Sequence, residues 1–86
     1  MEGLNEYRQE IDEINSAIID LLARRTEVVK KVGEWKKENE VPIFDAKREG
    51  IIFEKIAKLA EEKGVNKEFA KELFEKIIKQ AKRDEE

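Results

Sequence analysis

The chain has no cysteine and no histidine. The first absence excludes disulfides. The second removes the usual general base, the commonest metal ligand and the Ser-His and Cys-His nucleophile systems together, so any chemistry falls to Arg, Lys, Glu, Gln or Asp, and neither metal nor cofactor is expected. Proline occurs only at Pro42, and nothing before it breaks a helix. No apolar run approaches the roughly 20 residues of a bilayer span, and the N-terminus has neither a basic leader nor an apolar signal core, which argues for a cytoplasmic protein with no membrane partner. The net charge of −3, with lysines interleaved among glutamates, lacks the basic face that nucleic-acid phosphates require. Eighty-six residues make one domain, 1–86, with too little core to be comfortably stable without a partner subunit.

What is present is one long helical seam. Leu4, Tyr7, Ile11, Ile14, Ile18, Leu21, Val28, Val32 and Trp35 recur in steps of three and four, with Arg25 taking one turn in the series. That heptad rhythm demands a partner surface along its whole length. A helix from about Leu4 to Glu40 runs roughly 55 Å, far longer than a compact domain of this size needs.

Pro42 ends the first pattern. Asp45 is a suitable N-cap for a second helix to about Lys63, with Ile51, Ile52, Ile56, Leu59 and Ala60 as its apolar stripe and Gly64 as its stop. Asn66 caps a third helix, whose face is Phe69, Ala70, Leu73, Phe74, Ile77, Ile78 and Ala81; the Arg83-Asp84-Glu85-Glu86 tail is expected to fray. The expectation is an all-α chain of one long and two shorter helices. Since neither short helix can cover the seam, two copies are expected to intertwine as a homodimer.

Four cations need a reason. Arg25 and Lys36 are eleven residues apart, about 20° out of phase and roughly 16 Å apart along one face, with Val29 and Val32 as an apolar floor between them. Gly33 beside them gives up about 1 kcal/mol of helix propensity, which suggests close approach by something. Arg8 lies about 25 Å from Arg25 along the axis and serves the same site only from the other subunit of an antiparallel pair. Arg48 stands in the first turn of the second helix, where the dipole disfavours positive charge. The bland alternative is that these cations are solvated or paired, Arg25 with Glu49 for example.

In order along the chain, Tyr7-Arg8-Gln9-Glu10-Ile11-Asp12-Glu13-Ile14, Leu21-Leu22-Ala23-Arg24-Arg25, Val32-Gly33-Glu34-Trp35-Lys36 and Pro42-Ile43-Phe44-Asp45-Ala46-Lys47-Arg48-Glu49 resemble the L-R-x-x-I-D-x-I/L, L-L-x-x-R, V-G-x-x-K and P-V/I-x-D-x-x-R-E segments of the all-helical AroQ-class chorismate mutases. Each piece is weak alone, but the ordered set covers almost the whole chain. The resemblance implies an intertwined homodimer that rearranges the dianion chorismate to prephenate, toward phenylalanine and tyrosine, without cofactor or metal. It further implies that Arg25 and the other subunit's Arg8 clamp carboxylates with help from Arg48, and that Lys36 donates to the ether oxygen and a carboxylate. Glu49 and the backbone at Asp45 would bind the ring hydroxyl, between walls of Val29, Val32 and Ile78.

The chain departs from the family pattern in its third helix. Ala81 replaces a Ser found in some members, losing a polar contact, and Glu85 stands where they carry a Gln that donates to the ether oxygen. An ionised Glu85 would repel the developing oxyanion and a protonated one would donate to it, so activity is expected to rise toward acidic pH. Isochorismate-pyruvate lyase on the same fold, or a non-catalytic helical dimer that binds a partner, remain alternatives at this stage. The length leaves no room for a fused regulatory domain, and a monofunctional enzyme is expected.

Overall fold

The computed structural model describes residues 3–86. Three helices follow one another, α1 (Leu4–Glu38), α2 (Ala46–Lys63) and α3 (Lys67–Glu85), with no strand among the described residues. The caps are where local chemistry puts them: the Asp45 side chain accepts from the Arg48 N–H at 3.0 Å, and the Asn66 side chain accepts from the Phe69 N–H at 2.9 Å.

Two of the ends share one geometry. At the end of α2, Gly64 takes φ +71° while the Val65 N–H reaches back to the Ala60 carbonyl at 2.8 Å, the hydrogen-bond pattern of a left-handed helix stop. At the end of α1 the Val41 N–H reaches the Lys36 carbonyl at 2.8 Å in the same way, but the left-handed position, φ 55°, is filled by Glu40. The first helix therefore ends at Glu38, two residues before the expected limit, because this stop forms ahead of Pro42.

The charged tail does not fray. α3 continues through Arg83 and Asp84 to Glu85, the Gln80 amide donates to Asp84 at 3.1 Å, and Glu85 is drawn inward against α1.

α3 is the central element. It packs antiparallel to α2 and beside the C-terminal half of α1, whereas α1 and α2 make no backbone approach to each other among the described residues. The buried side chains are few and small, namely Ala60, Ala70, Ile78 and Ala81. From Leu4 to Leu21 every residue of α1 is exposed, so the seam faces solvent along about 27 Å of helix. Ile51, Leu59, Phe69 and Leu73, expected on buried stripes, are exposed as well. The radius of gyration is 16.3 Å, against about 12 Å for a compact 86-residue domain. The accessible surface is 7522 Å² for 10.1 kDa, about 2,000 Å² more than a compact monomer of that mass exposes.

Candidate active site

Because α1 and α2 both lean on α3 and not on each other, a cleft of about 290 Å³ stays open between them with α3 as its floor. That volume lies at the small end of the range for ligand pockets, about 300–1,000 Å³. From α1 the cleft takes Arg25, Val29, Val32 and Lys36, which share a face by their three- and four-residue spacing. Asp45, Arg48 and Glu49 enter from the start of α2, and Ile78, Ala81 and Glu85 from α3. Ten of the eleven residues singled out in the sequence thus line one cavity. Arg8 does not, since it lies on the exposed half of α1.

Lys36 is held at the head of the cleft. Its Nζ donates to the Ile43 carbonyl at 2.8 Å and stands 2.6 Å from Glu85 Oε1, with both side chains largely shielded from solvent. The carboxylate contact is an ion pair without hydrogen-bond alignment, and the buried Oε1 has no other partner among the described residues. An ammonium carries three donors, and only the one to Ile43 is spent on an aligned hydrogen bond, so Lys36 keeps donor capacity for a ligand.

Gly33 explains how Glu85 arrives there. It is the one buried residue of α1, and a Cβ built on it would lie 2.7 Å from the Glu85 Cα and 2.9 Å from its carbonyl carbon. The last turn of α3 is seated directly on the Gly33 backbone. What approaches Gly33 is the chain's own helix.

Arg25 and Arg48 form no salt bridge among the described residues. The suggested Arg25–Glu49 pair is not formed, since Glu49 Oε2 lies 3.2 Å from the Nζ of Lys82, which also stands 5.1 Å from the centre of the Phe44 ring. Lys82, with Val28, Ile43 and Ile52, completes the lining and was missed in the sequence. A signal existed, because Lys82 follows Ile78 by one turn and Ile52 follows Arg48 by one turn. In formal charge the cleft sets four cations, Arg25, Lys36, Arg48 and Lys82, against three carboxylates, Asp45, Glu49 and Glu85. Unpaired guanidiniums over an apolar floor, with one poised ammonium, suit a compact carboxylate ligand.

The comparisons with known proteins agree with this chemistry. The family model described as chorismate mutase type II matches residues 7–86. A chorismate mutase of Methanocaldococcus jannaschii is 37% identical over 82 residues, which is 95% of this chain and 83% of that protein. A bifunctional chorismate mutase/prephenate dehydratase of Aquifex aeolicus is 45% identical over 62 residues, 72% of this chain but 17% of that protein, so the chain spans only a small part of such fused relatives. Among solved structures, a conserved hypothetical protein from Pyrococcus furiosus aligns with a TM-score of 0.74 and 36% identity, covering 96% of this chain and 95% of that one.

Proposed function

The chain belongs to the chorismate mutase type II family, and from that premise we propose how this chorismate mutase converts chorismate to prephenate in the cleft between α1 and α2. The observation that carries the reading is the pairing of two uncommitted arginines with a lysine that keeps donor capacity free. The reaction is an intramolecular rearrangement in which the ether C–O bond breaks as a C–C bond forms, so the site has no nucleophile to supply. It has to hold a flexible dianion in its reactive shape and stabilise negative charge growing on the ether oxygen.

In this mechanism Arg25 forks one carboxylate and Arg48 assists. The free N–H of Lys36 donates to the ether oxygen, and Glu49 with the backbone at Asp45 holds the ring hydroxyl. Val29, Val32 and Ile78 exclude water from the ring. Glu85, 2.6 Å from the Lys36 ammonium, fixes that donor at the head of the cleft beside the ether oxygen.

The second carboxylate is clamped by Arg8 of another copy, in a homodimer built on the exposed seam. About 2,000 Å² of surplus surface on each chain is what obligate dimers of this size bury. The cleft's four cations and three carboxylates leave one net positive charge for a dianionic ligand, and a trans Arg8 supplies the second. The absence of a membrane-length apolar helix among the described residues is compatible with a cytoplasmic location.

The test is loss of chorismate absorbance with purified protein, with prephenate identified by acid conversion to phenylpyruvate. Lys36→Ala should lower kcat by about 10²- to 10³-fold, the usual cost of one donor at a developing oxyanion. Mixing Arg8→Ala with Lys36→Ala chains under subunit exchange should restore about a quarter of wild-type turnover, because half the dimers are mixed and each mixed dimer holds one intact site. No recovery in demonstrably mixed dimers would refute the trans arginine.

A further inference from the structure

Lys82 contributes only its charge to the mechanism above, yet it lines the cleft and its ammonium is held by two groups at the rim. Glu49 Oε2 lies 3.2 Å away and the Phe44 ring centre 5.1 Å away. The side chains of Lys82 and Glu49 are 37% and 23% exposed, whereas the other α2–α3 ion pair, Lys67 with Glu61, sits on open surface at 55% and 69%. Stapling α2 to α3 needs no cation inside the cavity, and Lys67 does it from outside.

The position has a chemical consequence for Glu49. A carboxylate alone accepts a hydrogen bond from a hydroxyl and attracts an ammonium still more strongly. With Lys82 on one of its oxygens, the remaining oxygen still accepts from a neutral hydroxyl, but a protonated amine placed there meets a second ammonium about 5 Å away. An aliphatic amine carries its proton at neutral pH. We propose that Lys82 is a specificity-determining residue, which makes the Glu49 subsite select a ring hydroxyl over a ring amine. The inference rests on the mutase reading with Glu49 at the ring substituent.

The size follows from the geometry. Two unit charges about 5 Å apart in a position between protein and solvent repel by an amount equal to about tenfold in relative rate. The effect of Lys82 on the carboxylates is common to both ligands and cancels in their ratio.

The experiment compares kcat/KM for chorismate with that for the analogue bearing an amine in place of the ring hydroxyl, in wild type, Lys82→Gln and Lys82→Arg. Where turnover of the analogue is too slow, its inhibition constant against chorismate gives the ratio. The Gln variant should lose about tenfold of the preference for hydroxyl, and the Arg variant should keep it within about twofold. An unchanged ratio in Lys82→Gln, even with both rates reduced together, makes Lys82 a staple and overturns the inference. Loss of preference in Lys82→Arg overturns it too, since the charge is retained. A folded wild-type dimer that turns over neither compound refutes the mutase reading itself, which is a different result from active enzyme with an unmoved ratio.

Discussion

Adding one methyl group at Gly33 should separate catalysis from stability. The new Cβ of Gly33→Ala would meet the Glu85 backbone at 2.7 Å and 2.9 Å, and backbone cannot rotate away as a side chain can. Ordinary contact requires the end of α3 to move off α1 by about 1 Å. The stability terms oppose each other. Alanine gains about 1 kcal/mol of helix propensity, and overpacking costs about 1–3 kcal/mol, so the net loss should be at most about 2 kcal/mol. Activity has no such compensation, because the 2.6 Å contact between Lys36 and Glu85 opens by the same ångström. A displacement of that size costs on the order of 10²-fold in rate, about 2.7 kcal/mol. Steady-state kcat and KM with chorismate, together with chemical denaturation at fixed protein concentration, read the two effects separately. The decisive control is the same change in a chain truncated after Asp84, where the obstructing backbone is gone and Gly33→Ala should cost nothing further. Both changes acting through one contact must be non-additive. A kcat within about twofold of wild type, or an equal factor in full-length and truncated chains, would refute the seating of Glu85 by Gly33.

Two further predictions concern the ends of helices. Glu85→Gln, whose amide oxygen still accepts from Lys36 while its NH2 group can donate to the ether oxygen, should turn over chorismate about tenfold faster at neutral pH. An unaltered Glu85→Gln enzyme removes Glu85 from the ether oxygen. At the end of α1, Glu40 holds φ 55°, a conformation glycine adopts without penalty, so Glu40→Gly should raise the stability of the protein by about 0.5–1 kcal/mol at matched concentration with turnover unchanged. Urea titration decides this, and a destabilised variant would mean that the Glu40 side chain contributes more than its backbone strain costs.

The helices and most of the cleft were legible because their signals are local. Asp45 and Asn66 are short acceptors followed at three residues by the N–H groups they bind, and Gly64 stops α2 where only φ matters. The spacing of Arg25, Val29, Val32 and Lys36 alone puts them on one face. The misreadings have a common cause in contacts between distant segments. Arg83-Asp84-Glu85-Glu86 reads as a solvated tail by composition, and its order comes from Gly33, fifty-two residues before Glu85. Glu40 is a poor residue for a left-handed stop, and the Val41-to-Lys36 hydrogen bond imposes that conformation regardless. Nothing local marks Lys82 beyond its one-turn step from Ile78, because a lysine's destination depends on the helix that faces it, here the Glu49 turn of α2.

The exposed seam and the incomplete site follow from one feature of the sequence. An α1 of 35 residues is about twice what α3 can cover, so half of it projects as an apolar rod carrying Arg8. The same projection leaves the cleft with one net positive charge for a dianion and with one side open. In the proposed homodimer a second copy laid antiparallel along that rod would cover the apolar residues and bring its Arg8 toward the middle of the first α1, the level at which Arg25 stands. Under that proposal stability and substrate binding would depend on a single association. The long helix costs the single chain its core, and what it would gain in the proposed dimer is a guanidinium that its own α1 holds about 25 Å from Arg25.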